Sequence, residues 1–208
     1  MVLDRFIVLE GLDGAGTTTQ LRLAEERLSA AGLPHFCTSE PTGNPLGLLI
    51  RDVLKRRRSL HPTTLALLFA ADRSEHLEEP GSGILSRLER GELVISDRYL
   101  FSSLAYQSLD CDFDYVRCLN QGFPLPRCVV FLDTPVPESQ RRLAGRAADD
   151  GPELFDGEDI QDRILNGYRR GFDLYRGSGV ELHVLDGTLP AGEVFGNFWK
   201  IIESVPML

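Results

Sequence analysis

No two of the four cysteines in this 208-residue chain are spaced as a C-x-x-C pair. Cys37, Cys111, Cys118 and Cys128 are scattered, and Cys37 and Cys128 fall inside apolar, strand-like runs. They predict buried free thiols in a reducing compartment, not a zinc site or a disulfide framework. No apolar stretch approaches the ~20 residues that span a bilayer. The opening MVLDRFIVLEG runs straight into strand-like sequence and lacks a signal-peptide layout. The expectation is therefore a cytoplasmic protein with no membrane partner. Internal repeats and low-complexity linkers are also lacking, so one domain over residues 1–208 is expected. Basic residues are in deficit, 22 against 31 acidic ones for a net charge of −9, and such a field repels nucleic-acid polymers. The exception is Lys55-Arg56-Arg57-Arg58. Without interleaved aromatics it reads as the solvated end of a helix, where cations suit the dipole.

The remaining composition, 42% apolar and 25% charged, is that of an ordinary globular chain. Five β-rich runs recur, at Phe6–Glu10, His35–Ser39, Leu93–Ser96, Cys128–Asp133 and Glu181–Leu185. Each is largely apolar on both alternating faces, which predicts strands covered on both sides. Helical spacing between them implies an α/β fold, a parallel five-stranded sheet with right-handed crossovers and helices on both faces. Ligands in such sheets sit beyond the carboxyl ends of the strands. The informative residues do follow strands, at Gly11–Thr19, Glu40–Gly43 and Asp97–Tyr99. Gly145–Gly157 is rich in Gly, Asp and Ala, and reads either as a lid, about 141–160, or as a surface excursion.

Directly after the first strand comes Gly11-Leu12-Asp13-Gly14-Ala15-Gly16-Thr17-Thr18-Thr19. This nearly matches the phosphate-binding loop G-x-x-x-x-G-K-[ST], between a strand and a helix as the mechanism requires. Its glycines let backbone N–H groups curl around phosphate oxygens, and the next helix adds its dipole. Thr18 takes the hydroxyl position that binds Mg2+. The lysine is missing, and Thr17 stands in its place. An ammonium there normally follows the charge migrating on the phosphates, whereas threonine offers one hydrogen bond. Another cation substitutes, or the protein is slow, or it binds nucleotide without transferring phosphate. Arg22, one helical turn further on, and lid arginines such as Arg146 are the candidate substitutes.

Four further stretches, with the loop, carry a resemblance over nearly the whole chain. They are Glu40-Pro41-Thr42-Gly43-Asn44-Pro45-Leu46-Gly47, Leu67–Arg73, Asp97–Gln107 and Val130-Phe131-Leu132-Asp133. In order and spacing they resemble the thymidylate kinases, the P-loop enzymes that phosphorylate dTMP. The resemblance implies Phe69 as the plate for the thymine ring and Arg73 as donor to its carbonyl edge. Residues four apart share a helix face, although Phe69 also fits an apolar stripe with Leu65 and Leu68. It implies Arg51 and Arg98 as the pair holding the acceptor phosphate, a task suited to a planar, permanently charged fork. Asp97 resembles the carboxylate that organises Mg2+. Ser102, Ser103, Tyr106 and Gln107 would line the base and sugar pocket, with Tyr106 near the ribose 2′ position and Asp13 accepting from the 3′-hydroxyl. Relatives without an arginine in the loop supply basic residues from the lid. Here Arg141, Arg142 and Arg146 are available beside an acidic Asp149-Asp150-Gly151-Pro152-Glu153, and Arg146 is the expected transition-state cation. The implied substrates are ATP and dTMP, with Mg2+, in a homodimer. Open alternatives are a kinase for another nucleoside monophosphate or a deoxynucleoside, or a nucleotide-binding regulatory protein. Ile160, Ile164, Tyr168, Phe172 and Tyr175 recur at helical spacing and read as core.

Overall fold

In the computed structural model, the residues described are 1–150, 154–155 and 157–206, with the side chains of 146–150 and 158 outside the description. The five strands are β1 (Val2–Gly11), β2 (His35–Ser39), β3 (Leu93–Asp97), β4 (Leu125–Asp133) and β5 (Glu181–Asp186). They pair in parallel in the order β2-β3-β1-β4-β5, so the phosphate-loop strand is central. The crossovers supply α1 (Thr17–Ala30), α2 (Pro45–Leu54), α3 (Pro62–Glu78), α4 (Ile84–Glu89), α5 (Leu100–Tyr106), α6 (Phe113–Asn120), α7 (Val136–Asp150) and α8 (Glu158–Leu174), and α9 (Ala191–Ser204) follows the last strand. This is the expected α/β sheet with helices on both faces. Among the described residues no helix is long and apolar enough to cross a membrane.

Alternation along β1 divides the core. Phe6 and Val8 face one side, with Leu104, Ile164 and Tyr168 of α5 and α8. Ile7 and Leu9 face the other, with Ala24, Leu28, Phe198 and Ile202 of α1 and α9. β5 departs from the expectation: Leu182 and Val184, which share one face, are 44% and 57% exposed, while Leu185 on the other face packs against the core with α1 and α9. The thiols depart in part, since Cys128 is buried, Cys37 and Cys111 half-buried and Cys118 exposed. The stretch from Gly145 onward is not irregular at its start; α7 continues through it to Asp150.

Local chemistry explains the helix starts that frame the site. Pro45 opens α2, and the Asn44 Oδ1 accepts from the Leu46 and Gly47 N–H groups at 2.9 and 3.0 Å. Pro62 opens α3 behind His61, whose ring accepts from Thr63 N–H. α2 ends at Leu54, so Lys55–Arg58 does follow a helix end, and Asp52 pairs with Arg57 and Arg58. The register then carries the strand ends to one edge: Leu9 lies opposite Asp97, and Ser39 also opposite Asp97. Hydrogen bonds from Arg98 N–H to Leu9 O (2.9 Å) and from Glu40 N–H to Asp97 O (3.0 Å) extend the ladder past β3.

Candidate active site

At that edge the chain leaves β1 and turns through the glycine loop. Gly14 and Gly16 sit at φ +83° and +105°, a backbone region that disfavours any side chain. At Gly14 space is limiting as well, since a Cβ there would stand 2.5 Å from Ser139 O on α7. The loop is therefore seated against α7. Ala15 turns inward, 3% exposed, into the core with α1 and α9. Thr17 is 6% exposed, with its methyl 3.5 Å from where a Cβ on Gly11 would be. Two guanidinium groups grip the loop. Arg98 donates to Gly11 O at 3.0 Å and to the Asp13 carboxylate. Arg142 donates to Ala15 O at 3.2 Å, and its Nη1 is 3.9 Å from the Cβ position of Gly16. Arg142 is itself fixed by Glu138 (2.7 Å) and Gly187 O (2.8 Å).

Beyond β3, Asp97 and Arg98 meet the loop. Thr18 donates to Asp97 Oδ2 at 2.7 Å, while the buried Oδ1 of Asp97 has no hydrogen-bond partner among the described residues. An orphaned carboxylate oxygen beside a threonine hydroxyl is a hard-oxygen pair of the kind Mg2+ takes. Arg98 adopts φ 74°, uncommon for a residue with a side chain. This turn brings its Nη1 within reach of Ser102 Oγ (3.2 Å) and Tyr168 OH (3.0 Å). Behind them Glu10, fully buried, accepts from Tyr99 N–H (3.0 Å), Ser102 N–H (3.2 Å), Ser102 Oγ and Tyr168 OH (2.9 Å).

A second buried charge lies deeper. Arg73 is 1% exposed and is committed to the protein: Nε and Nη2 to Glu40 Oε2 at 2.9 and 2.6 Å, Nη1 and Nη2 to Ser103 Oγ at 3.2 and 3.1 Å, and Nη1 to Asn120 Oδ1. Its guanidinium also lies 5.0 Å from the Tyr99 ring centroid. A cavity of about 460 Å³ opens between these groups, bounded by the loop, Asp97–Arg98, Arg51, Phe69, Arg73 and Tyr106.

The thymidylate kinase sequence model matches residues 9–196, which include the loop, the strand ends and this cavity. This chain belongs to the thymidylate kinase family. A putative thymidylate kinase of Treponema pallidum is 43% identical over 171 residues, covering 82% of this chain and 80% of that protein. A probable thymidylate kinase of Thermococcus kodakarensis is 42% identical over 211 residues, covering 96% of this chain and 98% of that protein. A putative thymidylate kinase of Aeropyrum pernix is 34% identical over 184 residues, covering 88% and 86%.

For this thymidylate kinase family member, the cavity gathers most of the residues singled out in the sequence. Asp13, Gly14, Gly16, Thr17, Thr18, Arg51, Phe69, Arg73, Asp97, Arg98, Ser102, Tyr106 and Gln107 all border it. Gly11, Ala15 and Thr19 belong to the loop without facing the cavity, and Ser103 stands behind Arg73. Arg51 donates to Pro41 O, which holds it over the cavity and away from a surface ion pair. Phe69 has both of its expected settings, packing on Ile50, Val53 and Leu65 and also reaching the cavity. Gln107 lies not on α5 but in a 3₁₀ turn, Gln107–Leu109, that continues it. Arg22 points away from the loop and pairs with Glu26 on the exposed face of α1. The Arg146 side chain lies outside the described residues.

Sequence reasoning missed the supports of this site. Tyr168 was legible as core from its helical spacing, and it is fully buried, but its hydroxyl also reaches Arg98 and Glu10. Asn120 gave no signal, because its contact with Arg73 spans 47 positions. Glu10 was available as a signal: a carboxylate at the end of an apolar strand needs donors.

Burial pushes the Glu10 carboxyl from 4.5 up to about 7, against its hydrogen bonds from Ser102 and Tyr168 and the nearby Arg98 charge, which all lower it. The folded protein thus binds this proton more tightly than the unfolded chain. The contribution is fully present below 4.5 and is lost as pH rises through about 7. At about 1.4 kcal/mol per unit, stability from this group falls by roughly 3 kcal/mol across that window. Urea unfolding of the wild type and Glu10→Gln at pH 5 and pH 7.5 checks it. The wild type should lose stability relative to the variant as pH rises, and parallel pH profiles would refute the assignment.

Proposed function

We propose that this protein catalyses ATP-dependent phosphorylation of dTMP to dTDP. The observation that carries this reading is the meeting of the glycine loop with Asp97-Arg98 and Arg51 across one cavity, a donor-phosphate cradle facing acceptor-phosphate cations. The 5′-phosphate oxygen of dTMP forms a new P–O bond to the γ-phosphorus of ATP, while the bond to the β-bridging oxygen breaks and ADP leaves. A phosphate monoester dianion is already a nucleophile, so positioning and charge neutralisation supply the catalysis. Arg51 and Arg98 orient the acceptor by charge-assisted hydrogen bonds. Loop N–H groups hold the donor phosphates. Phe69 packs on the base, Asp13 accepts from the sugar 3′-hydroxyl, and Tyr106 crowds the 2′ position. Thr18 and Asp97 would hold Mg2+, which when bound neutralises phosphate charge.

The missing loop lysine is answered, in this reading, by Arg142, whose guanidinium donates to the loop at Ala15 O while that of Arg98 donates at Gly11 O. Residues about 141–160 act as a lid whose closure excludes water from the transfer. A coupled assay with MgATP and dTMP, dUMP, dCMP, dGMP or AMP tests the assignment. ADP formation should depend most strongly on dTMP. A preference for another acceptor would redirect the reading to a different nucleotide kinase. Saturable ATP binding with no turnover would favour a regulatory nucleotide-binding protein.

A further inference from the structure

The end of β1 carries a costly group that the core does not require. Phe6, Ile7, Val8 and Leu9 are fully buried apolar residues, and Glu10, the next in line, is buried as completely. Taking a carboxyl group out of water is unfavourable, and an apolar side chain would fill the same space. Glu10 is also saturated with donors. Its Oε1 accepts from the N–H groups of Tyr99 and Ser102, and its Oε2 from the hydroxyls of Ser102 and Tyr168.

Those two hydroxyls share a second partner. Arg98 Nη1 lies 3.2 Å from Ser102 Oγ, 3.0 Å from Tyr168 OH and 3.0 Å from Gly11 O. A hydroxyl has one hydrogen, and spending it on Glu10 leaves only lone pairs to face Arg98. The carboxylate thus makes acceptors of both oxygens. The other acceptor near Tyr168, Gly11 O at 3.1 Å, is uncharged and already serves Arg98, so Glu10 is the better partner. Nη1 is used up by these contacts, and Nη2 gives one hydrogen to Asp13. Among the described residues no hydrogen bond engages Nε or the second Nη2 hydrogen. Those two form an edge that grips two phosphate oxygens at once.

Neither Glu10 nor Tyr168 borders the substrate cavity, so substrate contact does not account for them. The Tyr168 ring is fully buried and fixed, its centroid 5.2 Å from that of Phe131 and 5.8 Å from that of Phe172. We propose that Glu10 and Tyr168 are positioning residues for the acceptor phosphate. Glu10 orients the Tyr168 hydroxyl, and that hydroxyl holds Nη1 so that the remaining edge of Arg98 faces the cavity. The inference rests on the reading of Arg98 as an acceptor-phosphate cation, and it brings α8, 70 positions away, into phosphate recognition.

Calorimetric titration of the full chain with dTMP, and with thymidine, which lacks the phosphate, tests this. At pH 8 Glu10, whose proton leaves near 7, is ionised. Tyr168→Phe keeps the ring and should weaken dTMP binding about tenfold, with thymidine within twofold. A purely structural role would change both ligands alike, or neither. Glu10→Gln keeps the shape, but its amide nitrogen donates where a carboxylate oxygen accepted. One donor must then turn away, so dTMP should weaken with the same selectivity; this variant decides the matter if Tyr168→Phe does not fold. In an Arg98→Ala background Tyr168→Phe should have no further effect. Unchanged dTMP affinity, or a loss shared equally by thymidine, overturns the proposal, as does full additivity with Arg98→Ala. A wild type that binds dTMP no tighter than thymidine would defeat the phosphate role of Arg98, and this inference with it. Binding needs no turnover, so an inactive enzyme would defeat the kinase reading alone.

Discussion

Arg142→Met is expected to lower turnover with ATP and dTMP by about 10²–10³-fold, the scale for removing one preorganised group facing developing charge. Arg22→Ala should leave turnover within twofold. The contrast comes from where the two guanidinium groups are held. Arg22 is solvated on α1 beside Glu26. Arg142 is clamped by Glu138, Gly187 O and Ala15 O, and so faces the loop in one orientation. Methionine keeps most of the apolar stem and removes the charge. Steady-state kinetics with thermal melting separate the effects, because a merely structural role would lower the melting temperature and spare kcat in the folded fraction. An unchanged kcat for Arg142→Met would eliminate it as the stand-in for the loop lysine.

The largest stability effect should come from Glu40→Ala. Removing this carboxylate leaves the Arg73 guanidinium, 1% exposed, buried without its counter-ion. Breaking such a pair from one side costs about 3–5 kcal/mol. Ser103 and Asn120 remain as acceptors but carry no charge. Replacing both partners by apolar groups, as in Glu40→Leu with Arg73→Met, should recover much of the loss, because the desolvation cost of both ions disappears. Urea denaturation of the single and double variants measures this. A double variant less stable than Glu40→Ala would show that the network is worth more than its buried charges.

The central strands were legible because their apolar runs are unbroken. β3 and β4 begin and end within a few residues of expectation, and β1 extends further toward the amino terminus. The edge strand β5 was legible as a strand but not as one with an exposed face, since its sequence carries no mark of which faces helices cover. Contiguous motifs likewise gave the loop, Asp97-Arg98 and the Phe69–Arg73 face. The supports were not legible. Asn120 reaches Arg73, and Arg142 reaches Ala15, across 47 and 127 positions respectively. Such contacts depend on how α6 and α7 dock, and local pattern contains nothing about docking. Arg146 and Arg142 are one helical turn apart in sequence, so spacing alone could not rank them.

A lysine inside a phosphate loop travels with the loop wherever that segment goes. Here the positive charge touching the loop at Ala15 is delivered from α7, which follows β4, and is locked by the turn after β5 at Gly187. If Arg142 acts as proposed, the anion-binding function is therefore not portable. Residues 1–30 grafted onto another scaffold would bring the glycines and the helix dipole but leave that charge behind. On the same proposal, the segment emerges during synthesis long before its cation, so tight phosphate binding waits until most of the chain has been made.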